Sequence, residues 1–267
     1  MDERLRSLRG FLLDLDGVLF RGDRAIPGAA DLLQHLLETA TPFCILTNNS
    51  TRTPEEYVRK LAAIGVTISP AHVLNSALVA ASYLERRKAA DQRVLVVGSD
   101  SLRALLRARG IVVTEAWQEA SDVLVGLDRQ LSYEKMAAAS LAIGRGARFL
   151  GTNSDRSFPS ERGFEPGNGA LLSMLETTTG IAPEVLGKPF ATMFEAALAR
   201  LATAAKQTAM IGDRHETDIV GAAQAGIFTI AVTTGAATRE QLVASTPPPD
   251  CIFPSVQEIL DALRSPA

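Results

Sequence analysis

The chain has 267 residues, 46% hydrophobic and 21% charged, with a formal net charge of -3. This is the balance of a compact globular chain, long enough for one large domain plus a smaller one, and it excludes general disorder. The slightly acidic total offers no basic field to a phosphate backbone, so nucleic acid is not an expected partner, and no run of about 18 apolar residues is present to span a membrane.

In chain order, the opening Met1-Asp-Glu-Arg-Leu-Arg stretch lacks the apolar segment of a signal peptide, which makes the cytoplasm the expected location. Apolar runs at Phe11 to Leu15 and Phe43 to Leu46 read as strands. A helical pattern lies between them across Ala29 to Glu38, with Leu32, Leu33, Leu36 and Leu37 on one face. A second helix starts at Thr53-Pro54-Glu55-Glu56, where Thr53 can cap and Pro54 suits the first turn, and Gly65 ends it. The basic cluster Arg86, Arg87, Lys88 reads as a solvated helix end.

The middle region offers strands at Val94 to Val97, Asp122 to Val125 and Arg148 to Leu150, with helices at Leu102 to Arg109 and Tyr133 to Ile143. Gly151 to Gly169 is polar and rich in Gly, Pro, Ser and Asn; it reads as loop, with Gly163 to Gly169 a turn rather than a nucleotide-binding unit. From Gly187 onward a helix near Met193 to Leu201, strands at Ala209 to Ile211 and Phe228 to Val232, and a helix after Val256 complete the series. This alternation predicts an α/β fold with parallel sheets covered by helices. Cys44 and Cys251 sit inside apolar runs, as buried thiols do, which fits a reducing compartment.

Four stretches carry chemistry. In Phe11-Leu-Leu-Asp-Leu-Asp-Gly-Val-Leu19 an apolar strand leads into two carboxylates two residues apart, and positions i and i+2 of a strand share a face. At the carboxyl end of a parallel strand such a pair opens into the crevice where α/β proteins bind ligands. Thr47-Asn-Asn-Ser50 supplies a hydroxyl, amides and backbone N–H groups able to hold phosphate oxygens. Lys188 in Gly187-Lys-Pro189 would provide a fixed positive charge. In Ile211-Gly-Asp-Arg-His-Glu-Thr-Asp-Ile219, Asp213 and Asp218 offer oxygen ligands to a hard cation. Each stretch alone has an ordinary turn, cap or surface reading; their common position at strand ends and helix starts makes the combination specific. His35, His72 and His215 lie in separate contexts and form no alternative centre.

With these four stretches in place, the sequence resembles the haloacid dehalogenase-like hydrolase superfamily, over essentially its whole length. More narrowly it is similar to the NagD-like group, which includes para-nitrophenyl, nucleotide, sugar, phosphoglycolate and pyridoxal phosphatases. Gly151-Thr-Asn-Ser-Asp155, Pro166-Gly167 and Gly187-Lys-Pro189 support the narrower likeness, although Ser154 stands where the group commonly has proline. The resemblance implies a Rossmann-like core over residues 1–79 and 181–267, with an inserted α/β cap over 80–180 acting as a lid. It also implies a magnesium-dependent phosphatase of small phosphorylated metabolites. Asp14 would be the nucleophile that carries an aspartyl-phosphate, and Asp16 the general acid and base. Thr47, Asn48, Asn49 and Lys188 would bind phosphate; Asp14, the carbonyl of Asp16, and Asp213 would bind the metal, with Asp218 in support. Asn153, Asp155, Arg156 and Phe158 are the cap-loop candidates for substrate contact, and a homodimer through the caps is a further implication. A phosphomutase on the same scaffold and a non-catalytic binding protein are the alternative readings; Asp16 argues against a dehalogenase, which needs no acid at that place.

Overall fold

The computed structural model describes residues 4–5, 7–87, 89–160 and 162–265; Lys88 of the expected solvated helix end lies outside the described residues. In chain order the first elements are strand β1 (Gly10–Asp14), the short strands β2 (Phe20–Arg21) and β3 (Arg24–Ala25), helix α1 (Ala29–Glu38), β4 (Phe43–Thr47), α2 (Pro54–Ala62), β5 (Val73–Asn75) and α3 (Ser76–Arg86). The middle holds β6 (Val94–Val97), α4 (Asp100–Ala108), β7 (Val113–Thr114), β8 (Asp122–Val125), α5 (Tyr133–Gly144), β9 (Arg148–Gly151), β10 (Ser157–Ser160), β11 (Gly163–Pro166), α6 (Asn168–Thr179) and β12 (Glu184–Val185). The last part holds α7 (Ala191–Leu201), β13 (Thr208–Gly212), α8 (Val220–Gln224), β14 (Phe228–Val232), α9 (Arg239–Ala244), β15 (Cys251–Phe253) and α10 (Val256–Arg264).

The chain divides into two compact units, one of residues 1–47, 54–74 and 188–267, the other of residues 48–53 and 75–187. The border expected at 79/80 lies at 74/75, because α3 folds with the second unit from its first residue; the one expected at 180/181 lies at 187/188, and residues 48–53 also join the second unit. The Asn75 side chain caps α3 through Leu78 N at 2.8 Å and donates to the Arg52 carbonyl at 2.7 Å.

The first unit is built on a six-stranded sheet in the order β15-β14-β13-β1-β4-β5. β1 runs parallel to both neighbours, with Leu13 opposite Ile211 on one side and Ile45 on the other. Strands β1, β4, β13 and β14 are buried along their whole length because both faces are covered. Leu13, Ile45, Ile211 and Ile230 join one core with Leu32, Leu33 and Leu36 of α1 and Ile259 and Leu260 of α10. The alternate residues Leu12, Cys44 and Met210 are equally buried on the opposite face, where α7 packs on β4. The strand order reverses at β1: later strands are added beyond β4 on one side and beyond β13 on the other. Such a switch point leaves a crevice at the carboxyl ends of β1 and β13.

The second unit has its own sheet, β12-β9-β8-β6-β7, with β8 parallel to β6 and β9. Its core sets Val123, Val125 and Phe149 against Met136, Ala139 and Ile143 of α5 and Leu171, Leu172 and Leu175 of α6. The stretch expected as loop contains the antiparallel hairpin β10–β11 and the start of α6, so Gly163 to Gly169 is a strand and a helix start rather than a turn. Helix α6 as a whole is absent from the elements expected from the sequence; it opens on Asn168 and Gly169, and its apolar positions lie beyond them. Among the described residues no helix is long and apolar enough to cross a membrane.

Candidate active site

Asp14 is the last residue of β1, 9% exposed, and its Oδ1 accepts from Lys188 Nζ at 2.5 Å. The same ammonium lies 2.7 Å from Asp218 Oδ1. Lys188 is itself buried, two residues before the cap of α7. Asp213 follows the last residue of β13 directly, across the switch point from Asp14. Its Oδ2 accepts from the Ala236 N–H at 2.7 Å, while its Oδ1 is buried with no hydrogen-bond partner. Asp218 is reached through a single π-helical turn, His215–Ile219, and its Oδ2 accepts from the Arg214 N–H at 3.1 Å.

Three glycines create the room. A Cβ on Gly235 would stand 1.9 Å from Asp213 Oδ2, one on Gly17 would stand 2.4 Å from the same atom, and one on Gly212 would stand 2.3 Å from Asp218 Cβ. Gly17 also has φ +91°, a left-handed conformation that glycine adopts freely. That turn is tied by Gly17 N to the Phe20 carbonyl at 2.6 Å and by Thr234 Oγ1 to the Gly17 carbonyl at 2.6 Å.

The strand ends one residue earlier than expected, so Asp16 is not the strand neighbour of Asp14 on a shared face. It lies in the turn, exposed, where the Gly17 bend takes the chain away from the sheet. Asp14 is buried and Asp16 is exposed to solvent.

Asp14, Asp213 and Asp218 each present a carboxylate oxygen, and these atoms lie within 4.8 Å of one another. Three carboxylates against the single ammonium of Lys188 leave an excess of two negative charges in a buried space. Burial, with repulsion from Asp218 and Asp213, raises the Asp14 carboxyl well above the carboxylate range despite Lys188. Burial and Asp218 push Asp213 up to about 6. For Lys188, burial acts to lower the pKa, but Asp14 and Asp218 outweigh it and hold the ammonium charged. A divalent cation fits this set: it matches the charge excess, oxygen donors are what a hard cation takes, and Asp213 Oδ1 is a buried acceptor in want of a partner.

Thr47 closes β4, one residue beyond the pair Asp14 and Leu46, and is buried. Asn48 and Asn49 belong to the second unit, where Asn48 Nδ2 donates to Asp155 Oδ1 at 3.2 Å and Asn49 Oδ1 accepts from Thr51 N at 2.9 Å. The cap-loop candidates separate by exposure. Asn153 is buried, Asp155 and Phe158 are half-buried, and Arg156 is exposed; Arg129 stacks over the Phe158 ring at 5.2 Å. The histidines stand apart, with His72 against the Phe43 ring and His215 Nε2 2.9 Å from the Pro247 carbonyl. Sequence reasoning missed Gly235 and Ala236 as parts of the site; a glycine shortly after a strand is their only trace in the sequence.

A profile of haloacid dehalogenase-like hydrolases matches residues 11–112, and one of HAD-hydrolase-like proteins matches residues 185–259. The acid sugar phosphatase of Staphylococcus haemolyticus is 38% identical over 263 residues, 98% of this chain and 99% of that one. The chain belongs to the haloacid dehalogenase-like hydrolases. Among solved structures of similar sequence, NagD from E. coli K-12 superposes on this hydrolase with a TM-score of 0.87 at 31% identity, covering 94% of this chain and 98% of that one. A glycerol phosphate phosphatase of Mycobacterium tuberculosis in complex with magnesium gives 0.88 at 32% identity, covering 97% and 77%. This hydrolase stands with the NagD-like group and is a phosphoric monoester hydrolase, which removes the non-catalytic alternative.

Proposed function

We propose that this hydrolase cleaves small phosphate monoesters, sugar or polyol phosphates among them, with magnesium bound and through a carboxyl phosphate on Asp14. The observation that carries the reading is the buried Asp14 carboxylate held by Lys188 at 2.5 Å beside the open Asp213 Oδ1. Asp14 Oδ1 is oriented by the ammonium, and its burial strips the water that would compete for phosphorus. One Asp14 oxygen forms a bond to phosphorus as the ester oxygen leaves, which splits hydrolysis into two easier steps. Asp16 gives its proton to the departing alkoxide, then takes one from the water that attacks the carboxyl phosphate; its exposure lets it exchange protons between the steps. Lys188, the Thr47 hydroxyl and the backbone N–H groups of Asn48 and Asn49 carry the phosphoryl oxygens, where positioning and charge do most of the catalytic work.

Asp14, Asp213 and the carbonyl of Asp16 would hold the magnesium, with Asp218 fixing Lys188 and supporting the set. When bound, the ion supplies charge neutralisation for phosphate and the attacking carboxylate. The second unit acts as the substrate-selecting cap, with Asp155, Arg156 and Phe158 as its contact candidates.

The test is phosphate release from para-nitrophenyl phosphate by the wild type and a folded Asp14→Asn variant, with magnesium and after chelation. Release that needs the metal and disappears in Asp14→Asn is expected; release untouched by Asp14→Asn would sink the mechanism.

A further inference from the structure

We propose that Ser76, Asn153 and Asn168 are positioning residues, which lock the Asn48–Asn49 peptide into a buried polar network of the second unit, against which Gly187, the residue before Lys188, is packed. The inference deepens the phosphatase reading and rests on it for its kinetic consequences.

Of the four places where the chain passes between the units, two lie beside proposed phosphate-handling residues, from Thr47 to Asn48 and from Gly187 to Lys188. Asn48 and Gly187, the second-unit residues at these two junctions, lie against each other. The Asn48 carbonyl accepts from Ser76 Oγ at 2.6 Å and from Asn153 Nδ2 at 2.8 Å. Gly187 is packed so closely that a Cβ would stand 2.6 Å from Asn48 Oδ1 and 2.5 Å from the Thr152 carbonyl. Asn153 is held in turn: its Oδ1 accepts from the Asp155 N–H at 3.1 Å, and its carbonyl accepts from Asn168 Nδ2 at 2.8 Å. Asn168 Nδ2 also reaches the Val125 carbonyl at 3.1 Å, which ties the whole arrangement to the end of β8.

None of these side chains is available to solvent; Ser76 is 0%, Asn168 2% and Asn153 4% exposed. Asn168 Oδ1 is buried with no hydrogen-bond partner, a stability cost that a core built for packing alone would avoid with an apolar residue. Asn153 has both ends of its amide engaged within the unit, so a role in touching substrate, expected from its place in the cap loop, gives way to one in holding backbone.

The consequence follows from peptide geometry. In a trans peptide the C=O and the following N–H point in opposite directions, and the 48–49 bond is trans. Drawing the Asn48 carbonyl toward Ser76 and Asn153 therefore aims the Asn49 N–H away from them, and this N–H is one of the proposed phosphate donors. Thr47 and Lys188 are the next residues along the chain at each crossing. A misplacement of about 1 Å in such groups is enough to cost on the order of a hundredfold in rate.

The test uses full-length protein with Ser76→Ala, which deletes one hydroxyl, and Asn153→Leu, which keeps the shape without donor or acceptor. Each is expected to lower kcat/KM by roughly tenfold to a hundredfold, by the same factor for para-nitrophenyl phosphate, a sugar phosphate and a nucleoside monophosphate, and to weaken inhibition by inorganic phosphate. Ser76→Thr, which restores the hydroxyl, is expected to recover most of the loss. A loss that changes from substrate to substrate would mean contact with the leaving group, and wild-type kinetics in both folded variants would equally overturn the proposal. Amide hydrogen exchange over residues 47–51 is expected to quicken in both variants. It separates the two ideas: a wild type that hydrolyses no phosphate ester defeats the phosphatase reading, whereas unchanged exchange in both variants defeats the positioning network.

Discussion

Lys188 is asked to neutralise two buried carboxylates at once, at 2.5 and 2.7 Å, while a third stands within 4.8 Å of them. Removing it leaves unpaired buried charge, so Lys188→Met is expected to abolish turnover and to destabilise the protein by about 3 kcal/mol at neutral pH. Thermal melting should show that loss shrinking on acidification, as the orphaned carboxyls take up protons. Asp213 makes a separate, signed contribution. Its folded pKa of about 6 lies above the ordinary 3.8, so the native state binds more protons than the unfolded state between those values. Stability from this group is therefore full below that window and lost as pH rises through it. The metal-free protein is expected to gain less on going from pH 7.5 to pH 5 when Asp213 is replaced by Asn, and equal pH profiles for wild type and Asp213→Asn would refute this.

At the scale of elements, the site depends on loops that lack side chains where carboxylates need room. Gly235→Ala would place a methyl 1.9 Å from Asp213 Oδ2, in a loop whose neighbouring Ala236 N–H fixes that carboxylate. The expected result is a folded protein whose melting temperature no longer rises on adding magnesium; Asp218→Asn, which still accepts from Lys188, should keep most of that rise. Differential scanning calorimetry with and without magnesium reads both. Strands that stand out as short apolar runs between polar stretches were legible in the sequence: β6, β8 and β14 have the expected bounds. β5 was too short at three residues to show a period, and α6 was missed altogether, its start masked by Gly167, Asn168 and Gly169, residues that favour loops unless tertiary partners hold them. Here the partner is the Asp155 carbonyl, which accepts from the Gly169 N–H at 2.8 Å.

For the whole molecule, the two units differ in how the chain makes them. The second is almost continuous, needing only residues 48–53 from elsewhere, whereas the first draws its central strands β1 and β13 from segments nearly two hundred residues apart. A fragment of residues 75–187 is expected to melt cooperatively by itself, since its sheet and core lie wholly within it. A fragment of residues 1–187 should lack a folded first unit, because β1 would lose β13 and with it half of the six-stranded sheet. Circular dichroism melts of both fragments decide the matter.

The amino-acid sequence by itself determined the α/β class, the strand ends that bear Asp14 and Asp213, the spacing of the carboxylates and the place of Lys188 in the chain, because these are local patterns of apolar runs broken by polar junctions. It could not determine that Lys188 bridges Asp14 and Asp218, that Asp16 leaves the strand for solvent, or that Asn153 turns inward to the Asn48 carbonyl. Such relations join residues as far as 105 and 174 positions apart or hinge on a glycine turn whose direction is set by Thr234 from the far end of the chain. No local propensity encodes them; the parallel sheet and its switch point bring them together.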